Sequence, residues 1–151
     1  MIDRQLLLES LRRVPDPTSV IRFVDELLRA FDSLGNSIES SVYRFDPATA
    51  AADPGSGQIR FNSATPGSVT AVYVNTLNQN GSGISAALML LKTGDTLIVQ
   101  DNGNPDNAIR FTIPATLPVD NTGWWTVAVT HVSDQGSLPN PNSLLSVIFY
   151  F

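Results

Sequence analysis

The amino-acid sequence predicts an α+β fold, mainly β: an N-terminal helical, coiled-coil-like segment followed by a compact, mostly antiparallel β-domain with one short helix. Three observations predict it. Apolar residues between Met1 and Val42 recur at helical spacing, and a Pro-, Gly- and Ala-rich stretch after Asp46 ends that period. Beyond Gln58, short runs of β-branched and aromatic residues alternate with turns rich in Asn, Gly and Pro. The expected organisation is a helical anchoring or oligomerisation segment over 1–46, a linker over 47–57 and a β-rich head over 58–151.

In the first helix, Ile2, Leu6, Leu7, Leu8 and Leu11 are spaced for one face. Pro15 and Pro17 end it, since each lacks a backbone donor and pushes the preceding residue out of the helical region. A second helix is expected from Asp16 or Thr18 to about Val42, with Asp16 as cap and Pro17 at its first position. Its apolar residues Val20, Val24, Leu27, Phe31, Leu34 and Ile38 step by four and three in turn, a heptad seam. Ile21, Leu28 and Val42 widen that stripe, so it fits self-association or packing within the chain. Gly35 weakens the seam by about 1 kcal/mol relative to Ala.

Pro47, Pro54, Gly55 and Gly57 mark the connector. Strands are then expected at Ile59–Phe61, Val69–Thr76, Thr96–Gln100, Ala108–Ile113, Trp124–Val132 and Leu144–Phe151. In the second of these, apolar residues fall on both alternating sets, predicting cover on two sides. "ISAALMLL", from Ile84 to Leu91, predicts the short helix, with Gly94 beyond its end.

Composition narrows the function. Of 151 residues, 42% are hydrophobic, enough for a core, while 15% are charged against the roughly 25% usual in soluble domains. After Asp46 only three basic and six acidic residues remain, among many Asn, Thr, Ser, Gly and Pro. That polar, weakly ionic surface is closer to extracellular or virion proteins than to cytosolic enzymes. With a net charge of −5, one lysine and no basic cluster after Arg44, nucleic acid is not an expected partner. The chain has no cysteine, so neither disulfides nor thiolate sites are available, and it carries no secretory signal or apolar run of bilayer length.

No catalytic, cofactor-binding or metal-binding residue is nominated. His131, the only histidine, would need a partner nucleophile and an orienting acid, and nothing in the sequence nominates them; Asp101, Asp106, Asp120 and Asp134 fall in turns. "DNGNPDN" lacks the spaced carboxylates of a calcium loop. Trp124 and Trp125 are the pair to watch. On a strand they face opposite sides, one toward the core and the other toward a subunit or a sugar ring.

The stretches "DPGSGQIRFNSATPGSVTAVYVNTLNQNGSGIS", "DTLIVQD", "NAIRFTI" and "GWWTVAVTHVSDQGS", with a hydrophobic strand at the chain end, resemble a β-module of tailed-bacteriophage tail fibre and related virion proteins. The resemblance covers about Asp53 to Phe151. It departs at Ala87, Leu88 and Met89, where that module often has an aromatic followed by acidic residues. The resemblance implies a non-enzymatic virion structural protein: an oligomeric, three-fold fibre or appendage component, contacting capsid, neck or tail proteins and needing no cofactor. A capsid decoration (cement) protein and a module binding host-surface carbohydrate are the alternatives.

Overall fold

The computed structural model describes Arg22, Val24, Asp25, residues 38–135 and residues 137–151. The chain divides into two compact units, Met1–Ser37 and Ile38–Phe151. In the second, nine strands form one sheet: β1 (Ile38–Phe45), β2 (Gln58–Phe61), β3 (Ala71–Asn75), β4 (Thr96–Asp101), β5 (Ala108–Thr112), β6 (Val119–Asp120), β7 (Trp124–Ala128), β8 (Thr130–Gln135) and β9 (Leu144–Tyr150). Their order is β6-β7-β3-β2-β1-β9-β4-β5-β8. One short helix, α1 (Ser85–Leu90), precedes β4.

This corrects the expected α+β class with its coiled-coil-like helical segment. The described residues form a mostly-β single sheet, and no helix among them reaches seven residues. The second helix was expected to run to about Val42, but Ile38–Phe45 is a strand paired along its length with β9. The physical reason is visible in burial: Ser41, Tyr43 and Phe45 turn inward at a period of two, and Ser40, Val42 and Arg44 do not. Of the six seam residues, Ile38 therefore lies on a strand and is 61% exposed. Val24 is helical and half-buried, and Val20, Leu27, Phe31 and Leu34 lie outside the described residues.

The sheet closes on itself. β7 pairs with β3 and β8 pairs with β5, near opposite ends of the strand order, yet only Val129 separates them in the chain. Its N–H donates to the Thr70 carbonyl at 3.0 Å, so the join is fixed to the start of β3. A single core fills the enclosed space. Phe61 on β2 meets Phe45 at 5.4 Å and, across the core, Phe111 on β5 at 5.9 Å between ring centroids. Leu88 of α1 is fully buried in the same cluster, with Ile84 and Leu91 beside it. Each fully buried large apolar side chain contributes about 1.5–3 kcal/mol, which is how so weakly charged a chain holds a closed sheet.

β1 and β2 run parallel, so the chain must cross between them, and residues 46–57 make the crossing. This strap lies against the outward side of β2 and β3. Arg60, outward on β2, donates from Nε to Asp46 Oδ2 at 2.9 Å and from Nη1 to the Ala50 carbonyl at 3.1 Å. Asp53 Oδ1 accepts from the Gly55 N–H and from Asn75 Nδ2, both at 2.9 Å. Tyr73 and Asn75, on the outward side of β3, are consequently buried at 6% and 7% exposure. β3 is covered on both sides, as its two apolar sets predict.

Candidate functional site

The strap seals one outward side of the closed sheet. Within residues 38–151 the side formed by β1, β9, β4, β5 and β8 has no such cover, and the register defines it residue by residue. Three rows cross the five strands. The first is Ile38, Tyr150, Thr96, Thr112 and Thr130; the second is Ser40, Ile148, Ile98, Arg110 and Ser133; the third is Val42, Ser146, Gln100, Ala108 and Gln135. All fifteen positions are half-buried or exposed, and their strand neighbours Val147, Val99 and Ile109 are buried in the core.

These rows contain no Asp or Glu, although the chain has fourteen. Their one charge is Arg110, which forms no ion pair with any described residue. Ile38 stands directly opposite Tyr150, and Ile148 directly opposite Ile98, so two apolar cross-strand pairs lie in adjacent rows. A groove of about 290 Å³ continues from Ile98 past Ala108 and Arg110 to Ser133, Asp134 and Gln135, so a carboxylate lines it beside the Arg110 cation. The arrangement offers contact area with little desolvation penalty.

The tryptophans separate as their positions on a strand require. Trp125 faces the core at 5% exposure, and its indole Nε1 finds no hydrogen-bond partner. Trp124 faces outward, half-buried, with Tyr73 edge-on at 5.9 Å between centroids. Of the two, only Trp124 has open ring surface for a subunit or a sugar, and it lies on the strap side, outside the fifteen-residue face.

His131 does have an acid beside it. Its Nε2 lies 2.7 Å from Asp134 Oδ1, and its ring meets Phe111 edge-on. Residues three apart on a regular strand face opposite sides; here the register shifts between Arg110 and Phe111, leaving Val132 as the extra residue of a β-bulge. The bulge brings His131 and Asp134 to the same side. No described Ser, Thr or other nucleophile is hydrogen-bonded to this pair, so it ties down the bulged strand. Asp101 and Asp120 accept from the N–H of Gly103 and Thr122, two residues on, as turn carboxylates do. Among the described residues no three His, Asp or Glu side chains are grouped to hold a metal ion. Likewise, no described helix is long and apolar enough to cross a membrane.

The residues that carry the resemblance to the fibre module are bound up in architecture. Asp53, Arg60 and Asn75 hold the strap. Asn62 Oδ1 accepts from the Thr70 and Ala71 N–H groups, closing the turn between β2 and β3. Gly57 has φ +73°, and a Cβ there would meet the Gln79 Cα at 3.2 Å. No protein-family model matches the chain, and neither a curated protein nor a solved structure is similar to it.

Missed in the sequence was the face itself. Its members come from five strands spread from residue 38 to 150, so no local stretch displays it.

Proposed function

We propose that this chain is a non-enzymatic structural protein of a tailed-bacteriophage virion, a homo-oligomeric fibre or appendage component with the β-unit as its head. The observation that carries the reading is the use made of the residues of the resemblance. Asp53, Gly55, Gly57, Arg60 and Asn62 fix backbone and strap, which is the chemistry of a scaffold and not of a reactive centre. The oligomeric part of the reading comes from the resemblance. The three-fold number comes from the resemblance to fibres. The partners are other copies of the chain and the capsid, neck or tail proteins of the particle.

Immunogold electron microscopy of intact particles, with antibodies against residues 38–151, tests the assignment. Gold at fibres or appendages is the expected result. Particles that bind no antibody, from a lysate in which the chain is abundant, would sink it.

A further inference from the structure

We infer that Asn80 is a site of spontaneous deamidation, and that the fold protects Asn102 from the same reaction. The chemistry needs only water and is independent of the virion assignment.

Two asparagines in the chain are followed by glycine, in the pairs Asn80–Gly81 and Asn102–Gly103. A glycine, having no Cβ, lets its backbone nitrogen approach the preceding side chain. In the first pair the Gly81 nitrogen gives up its proton and attacks Asn80 Cγ. The N–Cγ bond forms, the Cγ–Nδ2 bond breaks, and Nδ2 leaves as ammonia with a proton returned from water. Water then adds to one of the two carbonyls of the succinimide ring and opens it to aspartate or isoaspartate. Nothing is oxidised or reduced, and the chain gains one negative charge.

Both pairs lie in exposed turns, so exposure does not separate them. Freedom of the side chain does. The Asn80 amide makes no hydrogen bond with any described residue. The Gly81 N–H donates to the neutral Asn78 carbonyl at 3.0 Å, and Gly81, at φ +78°, has open space where a Cβ would stand. Asn102 is held on every side. Its N–H donates to the Leu144 carbonyl at 2.9 Å, its Oδ1 accepts from Ser146 Oγ at 2.7 Å, and the Gly103 N–H donates to Asp101 Oδ1 at 2.8 Å. The Ser146 bond fixes the side chain that must swing toward the nitrogen. The Asp101 carboxylate opposes loss of the Gly103 proton, because a negative charge disfavours a second one beside it.

The turn from Asn78 to Gly83 carries no charge before the reaction. Asn78 Oδ1 organises it by accepting from the Asn80 and Ser82 N–H groups, and the Gln79 N–H ties it to the Val42 carbonyl of β1 at 2.8 Å. The new carboxylate therefore marks an anchored, exposed turn.

The test ages the full chain in warm, mildly alkaline buffer, folded or in urea, and maps it by mass spectrometry after peptic digestion in acid. In urea the two sites are expected to react at similar rates. In the folded chain Asn80 is expected to react about tenfold faster than Asn102, the effect of the bonds that hold Asn102. Isoelectric focusing of Asn80→Gln reads the same step independently, since glutamine would have to close a larger ring. The first acidic band of the ageing wild type should be missing from this variant. Asn102 keeping pace with Asn80 in the folded chain, Asn80 inert there while it reacts in urea, or an undiminished acidic band from Asn80→Gln would overturn the inference.

Discussion

Asn75 Nδ2 donates to Asp53 Oδ1 at 2.9 Å, joining the buried outward side of β3 to a strap residue twenty-two positions earlier. The same side chain accepts from the Leu77 N–H, and Asp53 also holds the Gly55 N–H. Removing either side chain leaves buried polar groups unpaired. Asn75→Ala is expected to cost about 1–3 kcal/mol and Asp53→Ala slightly less, because Asp53 is exposed and water can replace it. Urea unfolding midpoints check both. A cost within error for Asn75→Ala would mean the strap is not held at this point.

Gly57 and Gly81 both have positive φ, at +73° and +78°, but only Gly57 is crowded. Alanine at Gly81 meets nothing within 4 Å, so its cost is the conformational one, about 1 kcal/mol. Alanine at Gly57 adds a clash with the Gln79 backbone, which cannot swing aside, and is expected to lower the thermal midpoint clearly more. Equal shifts for the two would show that the strap's return into β2 is not tightly fixed.

The tryptophans are expected to differ in the same direction as their burial. Trp125→Ala should cost about 3–5 kcal/mol, the range for emptying a large core position. Trp124→Ala loses mainly its edge-to-face contact with Tyr73, about 1 kcal/mol. Because Trp125 Nε1 has no partner, Trp125→Phe removes volume without breaking a hydrogen bond and should fall well below the alanine variant. Denaturant titration followed by circular dichroism ranks the three.

Tyr43 is fully buried, and its hydroxyl donates to the Asn75 carbonyl at 3.0 Å. Burial pushes its phenol pKa up, above the ordinary value of about 10 that it regains on unfolding. The folded state then holds a proton that the unfolded state releases. This contribution to stability is fully present below about pH 10 and is lost as the pH rises from there through the folded value. Tyr43→Phe should abolish that alkaline loss, at about 1 kcal/mol near neutral pH for the missing hydrogen bond. Stability measured against pH in both proteins checks the sign.

How much of this was legible in the sequence depended on how local each feature is. β4, β5 and β9 were expected within a residue or so of where they lie, because Leu97 and Val99, Ile109 and Phe111, and Leu145, Val147 and Phe149 alternate cleanly with outward neighbours. In the sequence β1 reads as the end of a helix, because the four-residue step from Leu34 to Ile38 fits a heptad. Its own alternation is masked by Ser41, a polar residue on the buried side. The run Trp124–Val132 reads in the sequence as one strand. It is two strands joined at Val129, continuing to Gln135, because its halves pair with β3 and β5, which lie more than thirty residues apart in the chain and are invisible to a local pattern. The site was illegible for the same reason. The strap depends on Arg60 reaching Asp46 and Asn75 reaching Asp53, and the open face exists only once five strands are in register.

The measurement that tests the account most directly is the number of copies of this chain per major capsid protein in purified particles, by quantitative mass spectrometry. The account predicts that the chain is present at a small fraction, as a fibre or appendage component would be. A ratio near one would replace the fibre with a decoration protein, and absence from the particles would contradict the virion assignment.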